Sequence, residues 1–251
     1  MLSVIGTAGY QFIEFQEAEK FNGKAVLLRH DVDADLSAAL EMAKIEHTYG
    51  IKATYFLMLR SPLYNLLGRE NFSIACEILK LGHAIGLHYD QGFDLQRGWS
   101  HQETQVGVEN EVRWLASQLK TQIKAVSFHQ PGPAVLQNEI NTHPLINTYD
   151  RKRLADYQYF SDSNRCFLLE NLLLENSAEI NNSLPTKFQL LIHPMWWVYE
   201  DVETELVWNQ AIQSNFNVMQ RQLLLTERAY GVKRAVHFEY RSGDDVKKTV
   251  D

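Results

Sequence analysis

The sequence predicts a parallel α/β protein built as one domain. Three observations carry that reading. Short, continuously apolar segments alternate with segments of helical period along most of the chain. Polar and ionisable residues gather where the apolar segments end. No Gly-, Pro- or Ser-rich linker and no internal repeat divides the 251 residues. A chain of this length buries a full-sized core, and a single α/β barrel is comfortable at this size.

AVLLRHD (25–31) reads as the first strand, apolar throughout and ended by charge. In DLSAALEMAKIEHTYG, Leu36, Ala39, Leu40 and Ala43 recur at helical spacing, and Gly50 is placed to stop that helix. IKATYFLML (51–59) is the next strand. A helix over 72–82 follows, with Phe72, Ala75, Cys76 and Leu79 on one face and Gly82 as its stop. HAIGLHYD (83–90) is the third strand, 105–120 the next helix with Val108, Val112, Leu115 and Leu119 in phase, and IKAVSFH (123–129) the fourth strand. LINTYD (145–150) and 156–162 are weaker strands, and CFLLENLLLEN (166–176) suits strand or helix equally. KFQLLIH (187–193) is a strand before a long helix around 203–229, and RAVHFEY (234–240) closes the set. The polar tail from about 241 is expected to be loosely held.

Composition narrows the classes. The formal net charge of -7, without a long Lys/Arg block, argues against non-specific nucleic-acid binding and against an anionic membrane surface. Cys76 and Cys166 stand ninety positions apart with no CxxC pairing, so reduced thiols are expected. MLSVIGTAGY shows no basic region followed by a long apolar run, and no apolar stretch approaches the length of a membrane span. A cytoplasmic location is the expectation.

The chemistry sits at four strand ends: RHDVD, GLHYD, SFHQP and LIHP. Four of the nine histidines lie there, on separate elements that a barrel brings to one rim. In an extended DVD stretch Asp31 and Asp33 point to the same side. Carboxylates at the end of a buried strand cost several kcal/mol unless paired. One suits a metal ligand and the other a base toward water. The alternative for Asp33 or Asp35 is to cap the helix from Leu36. His83 and His88 emerge on opposite faces of one strand. His88 holds the C-terminal, functional end, and His83 suits a structural hydrogen bond. Asp90 is a reserve ligand. His129 either completes a two-nitrogen, one-oxygen zinc set or orients substrate. His193 is the natural general acid near neutral pH. Behind it, Trp196, Trp197 and Tyr199 suit a sugar face or a partner protein, or pack under the following helix.

Taken in order, LLRHDVD, KATYFLM, ILKLGHAIGLHYD, SFHQP and LLIHP resemble the polysaccharide deacetylase family, the carbohydrate esterases with a NodB-like domain. The resemblance is nearest to the divergent HDVD branch associated with bacterial surface-polysaccharide gene clusters, and it runs over roughly residues 25–195. It implies a distorted (β/α) barrel, TIM-barrel-like, of about seven strands. It also implies one divalent ion, usually zinc, and removal of N- or O-linked acetyl groups from a sugar or surface-polysaccharide precursor. Asp31 falls on the family's catalytic base, Asp33 on its metal-binding aspartate, His88 on the first histidine of its HxxxH element and His193 on the catalytic acid. The third ligand is His129 or Asp90. Trp196, Gln130 and Asp162 form the expected substrate-binding set. YFSDSN (159–164), which holds Asp162, resembles the segment whose Asp positions the base or the acid. Two departures stand out. Gly92 occupies the place of the second metal histidine, and the family's usual groove arginine is absent, with Gln130 beside His129. A catalytically silent glycan-binding or scaffold protein of the same fold, and an amidohydrolase acting on a small non-sugar amide, are the rival expectations.

Overall fold

The computed structural model describes residues 1–165, 184–199, 203–227 and 229–230. Its centre is β2 (Ala25–Val32), an eight-residue strand buried along its whole length, as expected where both faces of a parallel strand are covered. β3 (Thr54–Leu57), β4 (Ala84–Asp90), β5 (Ala125–His129) and β6 (Ile146–Asn147) follow on one side in chain order. β8 (Lys187–Ile192) and β7 (Gln158–Ser161) lie on the other, giving the order β6-β5-β4-β3-β2-β8-β7. Every neighbouring pair is parallel, and β1 (Gln11–Phe12) pairs in parallel with the first two residues of β2. Seven strands thus curl into a half-barrel, the distorted barrel that the motifs imply.

Side-chain alternation sorts β2 between two cores. Ala25 and Leu27 join Phe56, Ala125 and Phe15 inside the curl, whereas Val26, Leu28 and Val32 join the helices outside it. The outer layer comprises α2 (Leu36–Thr48), α3 (Arg69–Lys80), α5 (His101–Leu119) and α8 (Thr204–Thr226); α1 (Leu2–Thr7), α4 (Gln91–Arg97), α6 (Pro133–Leu136) and α7 (Met195–Val198) are short. A buried polar knot fixes α2 to the sheet. Glu46 meets His30 Nε2 at 2.7 Å and accepts the Tyr55 hydroxyl at 2.7 Å, while His83 Nε2 lies 3.0 Å from the Ala43 carbonyl oxygen. His83 therefore has the structural role its position after Gly82 suggests. Gly82 itself takes φ +91°, a turn that L side chains rarely make.

Boundaries move where capping outweighs the apolar period. α5 starts at His101, ahead of the first in-phase Val108, because Ser100 and Glu103 form a reciprocal capping box. α4 was not foreseen: Asp90 caps it by accepting from the Gly92 backbone N–H at 3.0 Å, and Gly98 ends it. The weak strands are real but short. The segments CFLLENLLLEN and RAVHFEY, Cys166 and the tail lie outside the described residues.

Candidate metal centre

Asp31 lies one residue before the end of β2 and Asp33 one residue after it, and both face the mouth of the curl. Asp31 is buried, and Arg29, two residues earlier on the same face, holds it in a fork. Arg29 Nε donates to Oδ1 at 2.8 Å and Nη2 to Oδ2 at 2.6 Å. Nη2 also reaches Ser127 Oγ at 2.5 Å and the Tyr149 hydroxyl at 2.8 Å. Burial pushes the Asp31 carboxyl up, but the Arg29 charge, then His88 and the Arg29 hydrogen bonds, outweigh it and hold the group below its ordinary range.

Asp33 continues to the rim, where β4 and β5 bring two imidazoles to it. Asp33 Oδ1 lies 2.9 Å from His88 Nε2 and 3.4 Å from His129 Nδ1, and the two ring nitrogens are 3.3 Å apart. Buried Oδ1 nonetheless has no aligned hydrogen bond, while the two ring nitrogens lie within hydrogen-bond reach of each other, so three ligand atoms converge on one point. Three ligands on a tetrahedral ion at about 2.0–2.1 Å stand roughly 3.3 Å apart, so this triangle fits a zinc-sized divalent cation with small adjustment. Burial raises the Asp33 carboxyl, but the adjacent His129 and His88 rings and the charge on His193 bring it well below the usual range. The Asp33 carboxylate in turn raises the His129 imidazole against the opposing effect of burial.

Across the cleft, at the end of β8, stands His193, with Nε2 3.7 Å from Asp33 Oδ2. Its Nδ1 lies 2.6 Å from Asp162 Oδ1, and its backbone N–H donates to Asp162 Oδ2 at 2.9 Å. Burial alone would lower the ring. The Asp162 hydrogen bond and charge, then the Asp33 and Asp31 charges, push it up to about 9. His193 is thus a protonated imidazole at neutral pH, aimed at the cleft by a buried carboxylate.

The cleft holds about 580 Å³ and is lined by Asp31, Asp33, His88, His129, His193 and Trp196, among others. Trp196 stands edge to face with Trp208 of α8 at 5.7 Å. Trp197 turns inward instead, donating its indole N–H to Asp162 Oδ2 at 2.8 Å. Gln130 lies on the cleft wall at φ +47°, a conformation costly for a side-chain-bearing residue. Asp162 does not line the cleft. Both its oxygens serve His193 and Trp197 from behind the cleft wall. Asp35 caps α2, accepting from the Ser37 N–H at 2.8 Å, and also takes the Tyr199 hydroxyl. Asp90 Oδ1 accepts from the Gly92 N–H at the start of α4, and among the described residues the group able to hold an ion is Asp33, His88 and His129.

Four contributors escaped the sequence reading. Arg29 and Ser127 carried a signal: each stands two residues before a named site residue on the same strand face. Tyr149 and Trp208 come from a short strand's exit and a remote helix, and only the folded chain brings them to the cleft.

No family model and no curated protein matches the chain. Solved structures do. A CE4 family pseudoenzyme from Bacillus anthracis matches at 14% identity and TM-score 0.42, over 80% of this chain and 62% of its own. The catalytic domain of a peptidoglycan N-acetylglucosamine deacetylase from Eubacterium rectale matches at 17% and 0.47, over 78% and 86%. A family 4 carbohydrate esterase from Streptomyces lividans, in complex with acetate, matches at 12% and 0.44, over 80% and 90%. The chain spans somewhat less than two thirds of the length of the Bacillus anthracis protein.

Proposed function

We propose that this chain is a metal-dependent hydrolase of ester or amide bonds. In particular, it removes acetyl groups from a sugar or a surface-polysaccharide precursor. The observation that carries the reading is the convergence of Asp33, His88 and His129 beside a histidine already protonated at neutral pH. The order of the strand-end motifs and the tryptophan wall support an acetylated sugar over a small amide, since the face of an aromatic ring suits the apolar face of a pyranose.

Asp33, His88 and His129 would hold the ion, and their mixed nitrogen and oxygen donors suit zinc. When bound, a divalent ion supplies Lewis acidity, which acidifies a water and polarises the acyl oxygen. Asp31 accepts a proton from the attacking water through the oxygen lone pairs that Arg29 leaves open. His193 donates its Nε2 proton to the departing nitrogen or oxygen, and Asp162 stabilises the imidazolium until that moment. Trp196 presents a ring face to the sugar beside the scissile bond.

The test is acetate release from a panel of acetylated amino-sugar oligomers and O-acetylated sugars by zinc-reconstituted protein, compared with protein stripped by chelator. Release that depends on the metal supports the proposal; no release from any member of the panel sinks it. A second reading, a silent glycan-binding protein of the same fold, draws support from the Arg29 fork, which takes both oxygens of Asp31 and weakens it as a base.

A further inference from the structure

We infer that Gln91 is a positioning residue: from the start of α4 it clamps the loop after β5 and so sets where His129 meets the ion. The inference rests on the metal-centre reading just given. Its starting point is that the two imidazoles are unequally supported. His88 is buried on β4, and its Nδ1 lies 3.0 Å from Ser127 Oγ behind it. His129 is the last residue of β5, and its side chain is 29% exposed. Its Nδ1 faces Asp33 and His88, and among the described residues its Nε2 has no hydrogen-bond partner. The backbone must therefore place this ring.

That backbone is held from two sides. Asp90 and His129 are the last register partners of the β4–β5 ladder, which fixes the chain up to the ligand. Beyond it, Gln130 takes φ +47°, a conformation that persists in side-chain-bearing residues only where neighbours impose it. Pro131 and Pro133 stiffen the loop but offer no N–H. Gly132, between them, does: its N–H donates to Gln91 Oε1 at 2.9 Å. Among the described residues no other hydrogen bond ties 130–132 to an element outside α6, which Gly132 caps. The acceptor is fixed in its turn, since Gln91 is buried and follows directly on β4. A Cβ on Gly132 would come within 3.2 Å of Gln91 Oε1, so glycine suits this close approach. One side chain thus continues the ladder past its last backbone rung. It spans the turn that carries Gln130 and Pro131 on the cleft wall and His129 at its base. Outer partners of this kind are worth about 10- to 100-fold in metal affinity.

The experiment measures zinc affinity by competition with a chelator, and hydrogen exchange at the Gly132 amide, in the whole chain and its variants. Gln91→Met removes the acceptor at similar length. It should bind zinc about 10-fold or more weakly, and its Gly132 amide should exchange about 10-fold or more faster, with a melting temperature close to that of wild type. Gln91→Glu keeps an acceptor oxygen and should restore the protection and most of the affinity. Asp90→Ala, which loosens the start of α4 without touching the loop, should keep the wild-type affinity. An unprotected Gly132 amide in wild type overturns the inference without any variant having to fold. Unchanged zinc affinity in folded Gln91→Met overturns it too, as does a folded Gln91→Glu that behaves like Gln91→Met. An equal loss in Asp90→Ala overturns it by making general loosening of α4 the cause. If wild type fails to bind zinc at all, the metal-centre reading falls, and the exchange comparison alone decides whether Gln91 clamps the loop.

Discussion

Asp162 grips His193 at ring and backbone together: Oδ1 lies 2.6 Å from Nδ1, and Oδ2 accepts the backbone N–H at 2.9 Å. The ring cannot turn without losing the first bond, and the strand end cannot shift without losing the second. Asp162 also brings charge to the ring, whose pKa rises to about 9 despite the opposing effect of burial.

That pair predicts a pH dependence of stability in metal-free protein. A histidine whose folded pKa exceeds its unfolded value of about 6.5 binds its proton more tightly when folded. Its stabilisation is complete below pH 6.5 and is lost as pH rises through about 9. Asp162→Asn removes the charge and keeps the shape, so it should destabilise by roughly 1–3 kcal/mol at pH 6. At pH 9.5 the cost should be clearly smaller. Denaturant titration at both pH values measures this, and equal losses at the two would contradict the link.

The ligand set makes a sharper claim. Asp33→Ala, His88→Ala and His129→Ala should each weaken zinc binding by well over 10-fold. Asp90→Ala should leave it within twofold, because Asp90 caps α4 by way of the Gly92 N–H. Losing that cap should cost about 1 kcal/mol of stability instead. Chelator competition and melting curves separate the two effects. Zinc binding that survives in His129→Ala but fails in Asp90→Ala would move the third ligand to the loop after β4.

Most of the frame was legible because period and punctuation agree: in the stretch from Ala25 to Val126, buried runs end in charge, and Gly50 and Gly82 stop helices. The cluster of ionisable residues at the rim was legible for the same reason, since parallel strands put their C-terminal ends on one side. What sequence could not show is partnership across strands. The residues alone give Asp162 as a polar residue after a weak strand, and only the family resemblance marks its segment as one that positions the base or the acid; the parallel pairing of β7 with β8 sets it behind His193. The choice between His129 and Asp90 was similarly open, because a helix cap and a metal ligand ask for the same side chain. Only the fold shows Asp90 accepting the Gly92 N–H at the α4 N-terminus.

A prediction about packing follows from Gly86, which sits on β4 two residues before His88. A Cβ there would collide with the Phe56 ring on the neighbouring strand. Phe56 also lies under Arg29, whose guanidinium carbon stands 5.8 Å from the ring centroid. Gly86→Ala should therefore cost about 1–3 kcal/mol. Combining it with Phe56→Leu should cost less than the sum of the two single changes, because the second relieves the first. Strict additivity in denaturant melts would show that the ring is not what the new methyl meets.

The last prediction separates chemistry from binding at Asp31. Both its oxygens face Arg29, and Oδ2 also faces Ser127, so the carboxylate is held rigidly at the cleft wall. Asp31→Asn keeps the volume, removes the proton-accepting charge and leaves all three ion-holding side chains in place. If Asp31 is the base, zinc affinity should stay within a few-fold while acetate release falls by about 10²-fold or more. The amide satisfies Arg29 less well, so some loss of stability accompanies the change, and melting curves must confirm that the assayed protein is folded. Equal acetate release from folded Asp31→Asn and wild type would remove Asp31 from the reaction. A collapse of zinc binding in the same variant would instead make Asp31 part of the ion's support, acting through Ser127 and His88. If wild type binds zinc and acetylated oligomers but releases no acetate, the Arg29 fork has the opposite meaning: it occupies both oxygens of Asp31 and the cleft only binds.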